Sequence, residues 1–175
     1  SLCDKYKGWS IKKNFGILPN YTHIISVMRS MVLTKPDLKS EYITYLPLRS
    51  VVHVVGLNEN WAKIQLNYKG KLEFGYISSF HIIKKNKNYT NWIKFAEQMV
   101  GTPYRWGGRE SFGIDCSALV QLSYAFGGIS LPRDSLDQFI FFQNNNNYVL
   151  KKGINFINSL IRGNIVYWRG HIGVM

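Results

Sequence analysis

The sequence predicts an α+β chain in two modules, a small all-β barrel followed by a domain that begins with helices and ends in strands. Two observations carry this. Five short runs rich in β-branched and aromatic residues, separated by turn-forming stretches, occupy residues 24–83. At Trp92 the apolar period then changes from that of a strand to that of a helix.

The five runs are Ile24 to Met28, Tyr42 to Tyr45, Val51 to Val55, Trp61 to Leu66 and Phe74 to Ile77. Lys35-Pro36-Asp37, Gly56 to Asn60 and Asn67 to Gly70 supply the turns between them. With Trp61 following a polar turn and Gly75-Tyr76 closing the series, residues 20–85 resemble a bacterial SH3-like domain. Tyr6-Lys7-Gly8-Trp9-Ser10-Ile11 echoes the closing step at Glu73 to Ile77. Residues 1–19 therefore read either as the tail of a preceding SH3-like module or as an ordinary N-terminal arm.

Lys84-Lys85-Asn86-Lys87-Asn88 is polar, breaks the strand pattern and suits a linker. Beyond it Trp92, Phe95, Ala96, Met99 and Val100 form the stripe of an amphipathic helix, stopped by Gly101 with Pro103 following. A second helix fits residues 116–126; it is apolar nearly all round, hence buried, and Gly127-Gly128 ends it. A third runs from Ser135, after Pro132, to Phe142, and Asn144 to Asn147 is an exposed loop. Residues 164–168 and 171–174 read as two strands joined around Arg169-Gly170.

A hydrophobic content of 46% with 15% aromatics is that of a globular protein and excludes wholesale disorder. No apolar run approaches the roughly 18–20 residues of a membrane span, and nothing reads as a signal peptide. The formal charge of +12 is spread over scattered Lys and Arg residues, without a basic helix or a nucleic-acid motif. It reads as a solvated basic surface or as attraction to an anionic polymer such as cell wall, and nucleic acid is not an expected partner. Two cysteines, Cys3 and Cys116, make no disulfide framework, no Cys/His cluster has zinc spacing, and neither a metal nor an organic cofactor is implied.

That leaves one well-placed thiol. Asp115-Cys116-Ser117 sits where the glycine-rich stretch 107–113 gives way to the buried helix. Thiols at helix N-termini meet the positive end of the macrodipole and unpaired N–H groups, which favour the thiolate that attacks carbonyls. The same N–H groups can receive a developing oxyanion. A cysteine on an apolar helix is equally a small buried hydrophobe. His171, at the mouth of a short strand between Gly170 and Ile172, supplies the base that papain-like chemistry requires. His23, His53 and His81 lie in the β module and read as structural.

Residues 101–138 and 164–175 closely resemble the NlpC/P60 family of cysteine peptidases. The resemblance rests on Gly101 to Gly108, Asp115-Cys116-Ser117, Leu131 to Ser135 with Gln138, Gly163 to Trp168, and Gly170 to Gly173. With SH3-like modules ahead of it, the arrangement resembles γ-D-glutamyl-L-diamino acid endopeptidases. The resemblance implies a truncated papain-like domain over 86–175, with Cys116 as nucleophile and His171 as base. Its implied substrates are peptidoglycan stem peptides or muropeptides, cut between D-glutamate and diaminopimelate or lysine, with a free N-terminal L-alanine. By similarity Tyr104, Trp106, Asp115, Ser117, Asp134 and Ser135 line the pocket for that end. Asp115 or Asp134 would pair with the ammonium, and Trp106 would wall the small side chain. Asp115 and Ser135 also suit helix N-caps, and Arg133 suits either a substrate carboxylate or a loop-holding role. An amidase or acyltransferase on the same fold and a non-catalytic wall-binding protein are the rival readings. Recycling of muropeptides favours the cytoplasm over the cell envelope.

Two positions depart from the family pattern. Ala118 stands where glycine is common, a change a helix accepts. The family also places a third polar residue, often His, on the strand after the one bearing the base, whereas Met175 is four residues past His171. The chain is accordingly expected to be a fragment of a longer product.

Overall fold

Alternation of apolar and polar side chains drives the first part of the chain into strands, as Trp61 to Tyr68 shows: Ala62, Ile64 and Leu66 are buried while their neighbours are not. The computed structural model describes residues 7–12, 20–68, 70–87, 89 and 91–175. Within it the chain forms two compact units, one in Trp9–Lys87 and one in Asn88–Met175. Cys3 and most of the 1–19 stretch, including the start of its echo of the closing step, lie outside the described residues.

The first unit holds seven strands: β1 (His23–Ile25), β2 (Arg29–Leu33), β3 (Tyr42–Pro47), β4 (Val51–Leu57), β5 (Trp61–Tyr68), β6 (Lys71–Ser78) and β7 (Ile82–Lys84). They form one antiparallel sheet in the order β3-β2-β6-β5-β4-β1-β7. Its edge strands β3 and β7 do not pair with each other among the described residues, so the hydrogen-bonded ring expected of a barrel is not closed there. Ile25, Val32, Val52, Ala62, Ile64, Leu66 and Ile77 form the core. Gly75 is fixed by close packing: a Cβ there would stand 2.4 Å from Val32 Cγ1.

Two strands escaped the sequence pattern. The expected run through Met28 ends at Ile25, the chain bends, and β2 begins at Arg29. Arg29-Ser30 reads as a polar break, yet Ser30 is fully buried and its hydroxyl meets His81 Nδ1 at 3.0 Å. A satisfied hydroxyl can occupy a core position that periodicity assigns to an apolar residue. Strand β7 is only three residues long, and its pairing with β1 is long-range.

The second unit contains α1 (Ile93–Glu97), β8 (Arg109–Glu110), β9 (Gly113–Ile114), α2 (Cys116–Phe126), α3 (Ser135–Gln143), β10 (Ile165–Trp168) and β11 (His171–Val174). Helix α1 is shorter than its stripe predicts. It ends before the i+8 position, which leaves Val100 83% exposed while Phe95, Ala96 and Met99 are buried. Phe95 stacks on Phe126 at 3.6 Å and Trp92 packs on Tyr124 at 4.1 Å, tying α1 to α2. Val120, Tyr124, Leu131, Phe142 and Ile172 form the core that joins α2, α3 and β11. Asp134, not the expected Ser135, takes the N-cap position of α3, and its side chain makes no capping hydrogen bond.

Candidate active site

Cys116 is the first residue of α2, set there by the cap before it. Asp115 has extended backbone (φ −96°, ψ 173°) and accepts the Ala118 N–H at 2.8 Å. The first N–H groups of a helix have no partner within it. Asp115 takes that of Ala118. Cys116 is a half-buried free thiol that packs against the α2–β11 core.

Asp115 does more than cap. Its Oδ1 accepts from Ala118 N–H, from Ser117 Oγ at 3.2 Å and from Arg133 NH1 at 3.0 Å. Its Oδ2 accepts from Gly107 N–H at 3.1 Å and from Arg133 NH2 at 2.5 Å. Arg133 NH1 also donates to Ser117 Oγ at 2.8 Å, and the buried Gln138 Nε2 donates to the Ser117 and Pro132 carbonyls at 2.9 Å each. Burial alone would raise the Asp115 carboxyl. The Arg133 bonds, with help from Ala118 N–H and Ser117, outweigh it and hold the group below its ordinary value of 3.8.

The loop that presents this carboxylate needs its glycines. Gly107 has φ 71°, and a Cβ on Gly108 would lie 2.4 Å from the Gly113 carbonyl oxygen. That close approach lets Asp115 N–H reach the Gly108 carbonyl at 3.1 Å, and the Arg105 N–H bond the Ile114 carbonyl at 3.1 Å.

His171 opens β11, paired directly with Trp168 of β10 across the turn at Arg169-Gly170, where Gly170 has φ 83°. Its imidazole lies 4.7 Å from the Trp168 ring and 6.3 Å from the Tyr104 ring, centroid to centroid. The Tyr104 hydroxyl has Cys116 and Asp115 among its neighbours. Desolvation of that hydroxyl, then the nearby Cys116 and Asp115, push the phenol above its ordinary value, although the whole residue is 58% exposed. Tyr104 thus has the thiol in the neighbourhood of its hydroxyl and the imidazole facing its ring.

The residues singled out in the sequence fall into two sets. Asp115, Ser117 and Arg133 turn towards one another, and the first two are buried. A carboxylate has about four lone-pair sites. Five protein donor atoms already meet the Asp115 oxygens, two of them from Arg133. Tyr104, Trp106 and Asp134 are exposed, and Ser135 is half-buried. Trp106 has no ring partner among the described residues. Trp168 was not singled out; its place three residues before His171, across a two-residue glycine turn, is the signal that would have found it. Among the described residues no group of His, Cys, Asp or Glu could hold a metal ion, and no helix is long and apolar enough to cross a membrane. The β-unit histidines pair locally: His23 with Thr22 Oγ1 at 2.8 Å, His53 with the Asn20 carbonyl and His81 with Ser30.

The thiol at the start of α2 and the imidazole at the start of β11 thus share Tyr104 as a neighbour. Residues 101–175 match the model of the NlpC/P60 family, and this part of the chain is similar to it. Over 125 residues the chain is 31% identical to a dipeptidyl-peptidase 6 of Lysinibacillus sphaericus, covering 65% of this chain and 45% of the relative. Over 46 residues it is 46% identical to a γ-D-glutamyl-L-lysine dipeptidyl-peptidase of Bacillus subtilis, covering 26% and 16%. A crystal structure of an NlpC/P60 family protein from Bacillus cereus superposes with a TM-score of 0.57 at 17% identity, over 74% of this chain and 44% of that one. The chain therefore spans less than half of the relatives it matches.

Proposed function

We propose that the protein is a cysteine peptidase of peptidoglycan stem peptides that cuts the bond between γ-D-glutamate and the following diamino acid. The observation that carries this is the placement of Cys116 at the first residue of α2, with Tyr104 a neighbour of both Cys116 and His171. The names of the relatives, dipeptidyl-peptidases and a γ-D-glutamyl-L-lysine enzyme, support the bond. In this reading His171 takes the thiol proton, the Cys116 sulfur attacks the γ-carbonyl carbon, and the oxyanion forms at the Cys116 and Ser117 N–H groups. His171 gives a proton to the departing amine, leaving a thioester. It then takes a proton from water, which releases the γ-carboxylate and regenerates the thiol.

Asp134 takes the role of ammonium partner for the free L-alanine end, because Asp115 is committed to Arg133. Tyr104, Trp106 and Ser135 line the same end. The unit in Trp9–Lys87 is read as an SH3-like module, supported by the fold-level match that extends beyond residues 101–175. The test is mass spectrometry of L-Ala-γ-D-Glu-L-Lys, and of its diaminopimelate counterpart, after incubation with the protein. Release of L-Ala-D-Glu by the protein and not by Cys116→Ala is the expected result. Cleavage at another bond would favour the amidase reading, and equal cleavage by Cys116→Ala would end the proposal.

A further inference from the structure

Building on His171 as the proposed base, we infer that Trp168 is a positioning residue: with Tyr104, it sets the orientation of the imidazole towards Cys116. Strand β11 alternates, so Ile172, 1% exposed, enters the core while His171 points to the other face. The core therefore does not fix the imidazole. The rings that face it are those of Trp168, at 4.7 Å, and Tyr104, at 6.3 Å.

The two rings are held independently. Trp168 sits opposite His171 in the register of a hairpin whose turn has two residues, so backbone geometry alone delivers the indole to the imidazole. Tyr104 comes from the far side of the sequence, anchored by a parallel bridge to Ile114. An aromatic pair at such distances is favourable beyond the area it buries. Removing the indole frees the χ angles of His171 while leaving the strand in place. A displacement of about 1 Å between reacting groups costs on the order of a hundredfold in rate. Because Trp168 is 54% exposed, a role as a wall for substrate is the competing assignment, and it makes a different kinetic prediction.

The test compares the protein with Trp168→Leu and Trp168→Phe in two assays: cleavage of L-Ala-γ-D-Glu-L-Lys, and alkylation of Cys116 by iodoacetamide followed by peptide mapping. Trp168→Leu is expected to lower kcat about 30-fold with KM within about twofold, and Trp168→Phe to restore most of it. Alkylation of Cys116 is expected to slow about fivefold in Trp168→Leu and to recover in Trp168→Phe, which also controls for folding. Unchanged kcat and unchanged alkylation in Trp168→Leu would overturn the inference, as would a rise in KM at constant kcat, which is the signature of a substrate wall. Should the unmodified protein not cut the peptide, the proposed function fails, and alkylation alone decides: slowing with rescue by Phe supports positioning, and equal rates refute it.

Discussion

The two units bury different chemistry. In the first, the core is a purely aliphatic set around Ile25, Ile64 and Ile77, and Ser30 is its one fully enclosed polar residue among those described. In the second, Asp115, Ser117, Gln121, Ser123 and Gln138 are all buried alongside the apolar core. An aliphatic core specifies a shape and accepts exchanges that conserve volume. A buried polar cluster accepts few, because each lost partner leaves a desolvated group behind. Three of these residues, Asp115, Ser117 and Gln138, make their hydrogen bonds at the start of α2, next to Cys116.

The contrast can be broken most sharply at the clamp. Arg133→Ala leaves the Asp115 carboxylate buried without its partner and should cost about 4 kcal/mol of stability, measured by chemical denaturation. Arg133→Lys should rescue little, since a point charge cannot reproduce the two-oxygen contact. In the first unit Ile64→Ala should cost about 3 kcal/mol through the cavity it leaves, and Ile64→Val only about 1 kcal/mol. If both units responded equally to volume-conserving changes, the distinction would collapse.

Acid should act on the second unit through Asp115. Its folded-state value lies below the ordinary 3.8, so its contribution is complete above that value and is lost as pH falls below it towards the folded value. The denaturation midpoint should therefore drop over that window in the protein and drop less in Asp115→Asn. The smallest effect is expected at the exposed Arg162–Glu97 pair, 2.6 Å apart with both side chains about half exposed. Arg162→Ala should leave the midpoint unchanged within error.

Much of this was legible in the residues. The bounds of α2 follow from Asp115 before it and Gly127 after it, and the β10–β11 hairpin from its apolar runs around Arg169-Gly170. Strand β2 was hidden because Ser30 is polar by type and buried by virtue of His81, a partner 51 residues away. The division of the site residues was hidden for the same reason. Sequence offers Asp115 and Asp134 as equivalent carboxylates, and only the fold shows that Arg133 pairs with the first. Trp168 carries no signal of its own until the hairpin register sets it against His171.

The central claim is that Cys116 is the nucleophile. Its most direct test is to quench the reaction with L-Ala-γ-D-Glu-L-Lys in acid and map the acylated peptide by mass spectrometry. A thioester of L-Ala-γ-D-Glu on Cys116, absent from Cys116→Ala and accumulating on no other residue, is the predicted result. Turnover that persists in Cys116→Ala, or an acyl group found on Cys3 instead, would contradict it.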